Sequence, residues 1–130
     1  MQLRQLDHVN VRTSNLEEMT AWYERVLGMK NGARPSFNFG GAWLYCNGSP
    51  FVHLIEVESE PAAGTDLKLE HFAFSATGMG DFIDCLKSDN AGYKIVEIPD
   101  FDIVQVNIWD PDGNHIHVDF HMDEAKGLDV

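Results

Sequence analysis

Four histidines fall into two pairs at nearly one spacing. His8 and His71 are 63 positions apart, and His53 and His117 are 64 apart. Their neighbourhoods repeat with them. Leu6-Asp7-His8-Val9-Asn10-Val11 is echoed by Leu69-Glu70-His71-Phe72-Ala73-Phe74, an acid and a histidine leading into alternating residues each time. Phe51-Val52-His53-Leu54 closes the first half much as Asn114-His115-Ile116-His117-Val118 closes the second. Self-similarity at a fixed offset marks a repeated structural unit. The chain therefore reads as one module used twice, with a histidine on its first and last strands.

Over residues 5–12, Val9 and Val11 take one parity and His8, Asn10 and Arg12 the other, which is the pattern of a strand with one face in a core. Ser14 with Glu17 three residues on has the form of a capping box. Leu16, Met19, Tyr23, Val26 and Leu27 recur at helical spacing, so the spacing predicts a helix over 15–27, stopped by Gly28. Strands are expected at 34–39, at 42–47 after Gly40-Gly41, and at 51–57 after Asn47-Gly48-Ser49-Pro50. Residues 58–68 are polar, with Pro61 and Gly64, and read as a linker. The second half repeats the order. A strand covers 69–76, and a helix marked by Met79, Phe82, Ile83 and Leu86 ends near Ala91-Gly92. Strands follow at 93–98, 103–109 and 115–121. Asp110-Pro111-Asp112-Gly113 is a tight turn. Gly78-Met79-Gly80 reads as a flexible lead into the second helix rather than an anion site. Residues 122–130 form a polar tail without a structural signal. At the 63-residue offset Leu16 falls on Met79, Met19 on Phe82 and Tyr23 on Leu86, so the helical core positions repeat as well.

The expected class is α+β. Two tandem βαβββ modules, about 5–57 and about 69–121, form a cupped mixed sheet with helices outside, in a single domain of 130 residues. One parity of the strands is apolar and needs a helix to cover it. The other carries His, Asn, Gln and Ser, which suits a polar, ligand-receiving interior.

The chain has 21 acidic against 9 basic residues and a formal net charge of −12. That charge repels nucleic acid backbones and anionic membrane surfaces, so neither is expected as a partner. No apolar run has the length of a membrane span, and the first residues do not open a signal peptide. Cys46 and Cys85 make neither a disulfide framework nor a metal motif, and they read as reduced thiols of a cytoplasmic protein. No Gly-x-Ser-x-Gly or phosphate-cradling glycine loop is present.

Several quoted segments together resemble the vicinal oxygen chelate superfamily, the group of glyoxalase I, bleomycin-resistance proteins, fosfomycin-resistance transferases, methylmalonyl-CoA epimerase and extradiol dioxygenases. They are residues 6–11 with Trp-Tyr-Glu-Arg-Val-Leu-Gly-Met at 22–29, Glu-His-Phe-Ala-Phe at 70–74, and Trp-Asp-Pro-Asp-Gly-Asn-His-Ile-His-Val at 109–118. The resemblance spans roughly residues 5–121 and implies paired βαβββ modules around a divalent metal, commonly in a homodimer. It places His8 and His71 at the two first-strand ligand positions. His117 falls where the family usually has a glutamate, and His53 where glyoxalase I has its other glutamate. The departure at both carboxylate positions counts against lactoylglutathione isomerisation.

On that reading His8, His53, His71 and His117 are the candidate metal ligands, with His53 and His117 also the candidate catalytic groups. A divalent ion takes about four to six donors. Four neutral imidazoles suit Fe(II), Zn, Ni, Co or Cu better than Mg or Ca. The resemblance leaves Fe, Zn, Ni, Co and Mn as candidates. Asn10, Gln105, Asn107 and Asp119 share the histidines' parity and are candidates for substrate contact or for orienting an imidazole. His115 and His121 match no ligand position and are expected to be rim or solvent residues. His117 beside Asp119 also reads as a charged pair on an exposed strand. Trp43 and Tyr45 fit an aromatic pocket wall, a dimer contact or plain burial. Arg12 reads as a surface residue or as an anchor for an anionic group. Three functions stay open: a metal-dependent lyase, isomerase or dioxygenase acting on a small molecule, a metal-free binding protein of the bleomycin-resistance kind, and an association domain.

Overall fold

The computed structural model describes residues 1–64 and 66–130, and the chain divides into two compact units, Met1–Ala63 and Gly64–Val130. Unit one runs β1 (Val9–Thr13), α1 (Leu16–Leu27), β2 (Lys30–Gly32), β3 (Gly41–Cys46) and β4 (Ser49–Glu56). Unit two runs β5 (His71–Ser75), α2 (Met79–Ser88), β6 (Lys94–Ile98), β7 (Ile103–Trp109) and β8 (His115–His121). Each unit is a four-stranded mixed sheet, ordered β1-β4-β3-β2 in the first and β5-β8-β7-β6 in the second. The α+β class and the βαβββ order of each module are as expected. No helix among the described residues is long and apolar enough to cross a membrane.

The duplication extends to register. The first strand of each unit lies parallel to the last, with Val9 beside Val52 and Phe72 beside Ile116. On β3, Trp43 pairs with His53 on β4; on β7, Asn107 pairs with His117 on β8. Parallel pairing of β1 with β4 brings the first and last strands side by side, and so brings their histidines together. The apolar parity of each sheet packs under its own helix. In unit one Met19, Tyr23, Leu44, Val52 and Leu54 are buried. In unit two Met79, Ile83 and Leu86 of α2 are buried, as are Val104, Val106, Ile116, Val118 and Phe120 of the sheet.

Helix α1 begins one turn residue later than a capping box at Ser14 requires. Asn15 is its N-cap and makes no side-chain cap hydrogen bond. Thr13 Oγ1 instead accepts from the Asn15 N–H at 2.9 Å, and the Asn15 amide donates to Glu18 Oε2 at 2.7 Å. The buried threonine thus takes the turn-forming role assigned to Ser14. At the other end Gly28 is left-handed, at φ 65°, as predicted. Helix α2 stops earlier than Ala91-Gly92. Asn90 takes φ 54°, and the Ala91 N–H donates to the Leu86 carbonyl at 2.9 Å, so an asparagine supplies the left-handed stop.

The strand expected at 34–39 is not one. β2 is shorter and earlier, and pairs Lys30–Gly32 with Tyr45, Leu44 and Trp43. Pro35 offers no N–H to a ladder. Its carbonyl accepts from the Phe37 N–H at 2.9 Å, and Arg34 donates to the Phe39 carbonyl at 2.8 Å, which closes the segment into a loop. The first strand is also shorter than 5–12, so His8 precedes β1 and His71 opens β5.

The polar tail has a structural role. A short 3-10 turn at Met122–Ala125 carries Glu124 to the start of α2. There Glu124 Oε2 accepts from the Gly78 N–H at 2.6 Å and the Met79 N–H at 3.0 Å. Lys87 Nζ donates to the Asp129 carbonyl at 2.7 Å, tying the last residues to the same helix. Glu124 therefore occupies, from within the chain, the position an anion takes at a helix N-terminus. Glu124→Ala is expected to cost about 0.5–2 kcal/mol, the usual range for losing an N-terminal cap. Urea unfolding measures this, and hydrogen exchange should show loss of protection confined to the first turn of α2.

Candidate functional site

His53 and His117 sit at the centre of their last strands, each between buried apolar neighbours of opposite parity. Val52, His53 and Leu54 are all buried, and so are Ile116, His117 and Val118. At these points, as at Asn107, the polar face of the sheet is also shielded, and around the two histidines other aromatic rings contribute to the shielding.

In unit one the shield is a stack of three rings. His8 lies on one face of His53 with ring centroids 3.9 Å apart and planes 11° apart. Trp43 lies on His53 at 4.0 Å and 12°. His53 is 6% exposed, and its Nε2 is buried with no hydrogen-bond partner among the described residues. Burial holds the His53 pKa below its ordinary value, the facing His8 pushes it the same way, and a hydrogen bond with the Pro50 backbone opposes both. A neutral ring with an exposed lone pair is the ligand form of histidine. His8 Nδ1 donates to Asp7 Oδ1 at 2.6 Å, and this hydrogen bond holds the Asp7 carboxyl below the usual carboxylate range. With Nδ1 engaged by the carboxylate, Nε2 is the nitrogen of His8 left to act as a donor atom.

Unit two repeats the pairing with different support. The His71 and His117 rings are 4.5 Å apart and inclined at 46°. His117 Nδ1 donates to Asp119 Oδ1 at 2.6 Å, and His71 Nδ1 donates to Glu70 Oε2. In both rings Nδ1 is thus engaged and Nε2 is the nitrogen left to act as a donor atom. Glu70 is shared. Its Oε1 accepts from His115 Nδ1 at 2.8 Å, while His115 Nε2 faces Asn107 Oδ1 at 2.8 Å. Hydrogen bonds from His71 and then His115 keep the Glu70 carboxyl below its ordinary range. The turn before β8 is pinned by Asp110, whose Oδ1 accepts from the N–H groups of Asp112 at 3.1 Å and Asn114 at 2.9 Å. This turn sets where His115 and His117 begin.

The candidates thus divide by unit, His8 with His53 and His71 with His117. Of the four polar neighbours, Asp119 bonds His117 and Asn107 bonds His115. Asn10 stands beside His53 and Gln105 opposite Asp119 in the registers, and neither bonds an imidazole among the described residues. The expectation for His121 holds, since it is exposed and lies against Asp102 and Asp123. The expectation for His115 does not. It is half-buried, stacked on Trp109 with centroids 5.3 Å apart, and joined to Glu70 and His71. Its alternation with Ile116 was visible in the sequence. Its link to Glu70 follows from the parallel register that sets His71 beside His115. Glu70, His71 and His115 offer ligand-type atoms within 4.8 Å of one another.

Comparison with known proteins gives concordant results. Residues 5–118 match the Glyoxalase/Bleomycin resistance protein/Dioxygenase superfamily. A protein of Arabidopsis thaliana named Glyoxylase I 4 is 32% identical over 125 residues, covering 91% of this chain and 71% of the relative. A manganese-dependent 2,3-dihydroxybiphenyl 1,2-dioxygenase of Geobacillus genomosp. 3 is 34% identical over 83 residues, 62% of this chain and 25% of that enzyme. Among solved structures, a Bacillus anthracis protein assigned to the glyoxalase family superposes with a TM-score of 0.77 at 24% identity, covering 93% of this chain and 98% of that one. A genomically encoded fosfomycin resistance protein of Listeria monocytogenes shares the fold at a TM-score of 0.70 and 12% identity, over 92% and 94% of the two chains.

In ion-free protein, a buried neutral His53 has a signed effect on stability. Its folded pKa lies below the unfolded value of about 6.5, so on acidification the unfolded chain takes up this proton first. Stability is therefore expected to fall as pH drops from about 6.5 towards the lower folded value, with no contribution from this group above that window. His53→Gln should flatten this part of the dependence, measured by urea unfolding across the window. An unchanged slope in the variant would show that burial does not hold the ring neutral.

Proposed function

The chain belongs to the glyoxalase/bleomycin resistance protein/dioxygenase superfamily, and on that premise we propose that it is a divalent-metal-dependent enzyme acting on a small molecule through adjacent oxygens. The observation that carries this reading is the common state of four imidazoles. A carboxylate holds the Nδ1 proton of His8, His71 and His117, which leaves Nε2 as the donor atom. In His53 the donor atom is the buried Nε2, which has no hydrogen-bond partner among the described residues. A buried polar atom without a partner is costly and rare in folded proteins. An ion at this nitrogen removes that cost.

The donor set fits a divalent ion chemically. His8 and His53 in unit one, and His71 and His117 in unit two, are the imidazoles proposed as ligands, a donor type such an ion commonly takes. Asp7, Glu70 and Asp119 would fix ring orientation and raise ligand basicity, the usual work of carboxylates behind metal-binding histidines. The ion, when bound, supplies Lewis-acid polarisation of the substrate's oxygens. Imidazole ligation suits Fe, Zn, Ni or Co, and the dioxygenase relative adds Mn. His53 and His117 stand where the resemblance expects carboxylates, so the proposed ligand set contains no carboxylate to carry a proton. Oxygen chemistry or conjugation fits that set better than proton-shuttling isomerisation.

One observation favours a metal-free binding protein instead. Parallel rings 3.9 Å apart cannot both direct in-plane lone pairs at one ion unless one of them turns. Elemental analysis of natively purified protein decides between the two readings. Metal-dependent chemistry predicts bound divalent metal that His8→Ala and His71→Ala each reduce by a large factor. Full stoichiometric metal in both variants would overturn it, and metal-free protein that takes up an aromatic ligand would establish the binder. Oxygen uptake on catechols, set against turnover of thiol adducts, then separates oxygenase from conjugating activity.

A further inference from the structure

The two units support their histidines by different means, although their registers correspond. Trp43 and Asn107 occupy the same place, each paired across the sheet with the central histidine of its unit. In unit one that residue stacks flat on His53. In unit two it starts a line of hydrogen bonds. Asn107 Nδ2 donates to the Lys94 carbonyl at 3.2 Å, which fixes the amide and puts the acceptor Oδ1 2.8 Å from His115 Nε2, a hydrogen bond when that nitrogen also carries a proton. His115 Nδ1 donates to Glu70 Oε1 at 2.8 Å, and Glu70 Oε2 accepts from His71 Nδ1. The line runs from the backbone of β6 to the ring of His71.

We propose that Asn107, His115 and Glu70 form a clamp that holds His71 with its proton on Nδ1 and its lone pair on Nε2, so that His115 is a positioning residue and not a ligand. This rests on the metal-dependent reading above for its purpose, but not for its geometry. Glu70 is exposed and, on its own, has many rotamers available. An exposed carboxylate on a free side chain fixes a neighbouring ring poorly, because holding a long side chain in one place costs conformational entropy. His115 is half-buried, stacked on Trp109 and held at its far nitrogen by Asn107. It can restrain Glu70 in a way that Asp7, whose side chain among the described residues hydrogen-bonds only His8, is not restrained. Ligation by His115 would break one of these contacts, that with Asn107 at Nε2 or that with Glu70 at Nδ1. His117 has its own carboxylate in Asp119 and serves as an internal control.

The test uses the full chain and Co2+ alone as probe, with variants His115→Ala, His115→Gln, Glu70→Gln, His71→Ala and the Glu70→Gln/His115→Ala double. Glu70→Gln and His115→Ala should each weaken Co2+ binding, by about 10- to 100-fold for the carboxylate, the usual effect of losing a residue behind a ligand. His115→Gln should recover part of the loss, because its amide can still donate to Glu70. The double variant should be no worse than Glu70→Gln, as for two residues acting through one path. The visible spectrum of bound Co2+ should stay that of the wild type in His115→Ala, whereas removal of a true ligand, as in His71→Ala, changes or abolishes it.

In ion-free protein, imidazole 15N shifts should show His71 moving towards the Nε2-protonated form in Glu70→Gln and His115→Ala while His117 stays put. The clamp is overturned if His115→Ala alters the Co2+ spectrum as His71→Ala does, or if the His71 tautomer is unchanged in both variants. It is likewise overturned if His117 shifts along with His71, which would mark a general loss of structure. Wild-type protein that binds no Co2+ would count against the function proposed above, while the tautomer measurement would still decide the clamp.

Discussion

A carboxylate against one nitrogen of an imidazole decides what the other nitrogen can do. An ionised carboxyl group only accepts, so the facing Nδ1 must carry a proton, and the lone pair of the neutral ring is then on Nε2. Asp7, Glu70 and Asp119 impose this on His8, His71 and His117. His53 has no such partner, and burial supplies the equivalent by keeping its ring neutral. The remaining features of the site follow from that constraint. Parallel pairing of first and last strands brings the rings together, and the Asp110 turn starts β8 at the right residue.

The large acid excess takes on a local meaning in this light. Spread evenly, a net charge of −12 only opposes compaction and repels anionic partners. Three of these carboxylates instead hydrogen-bond imidazoles, Asp7 in unit one and Glu70 and Asp119 in unit two, the place carboxylates take behind metal-binding histidines. A fourth, Glu124, is turned to a structural purpose at the start of α2. The acidic chain is thus compatible with binding a cation and also with closing its own helix terminus.

The two modules have kept their topology and diverged in chemistry. Register is strongly constrained, because a slip of one residue would exchange the buried and polar faces of a strand. The residue paired with the central histidine is under no such constraint, and it is tryptophan in one unit and asparagine in the other. The consequence is a stacked, nearly parallel pair of rings in unit one and an inclined, hydrogen-bonded pair in unit two. Inclined rings can converge on a shared point as they stand, whereas parallel ones must first turn. The His71/His117 pair is therefore the better prepared of the two.

Most of the architecture could be read along the chain because it is periodic. The alternation through Val9 and Val11, the helical recurrence of Met19, Tyr23 and Val26, and the 63-residue offset each repeat often enough to survive local noise. The histidine pairs came with that periodicity, as did the asparagine and aspartate near them. Features that depend on a single contact could not be read in this way. Pro35 turned an apparent strand into a loop, Thr13 took the part of Ser14, Glu124 reached back 45 residues to Met79, and Glu70 joined His71 to His115. A sequence states which residues share a face, since that follows from backbone period alone. Which side chain on that face meets which partner depends on distances between strands that are remote in the chain, and those exist only once the sheet has formed.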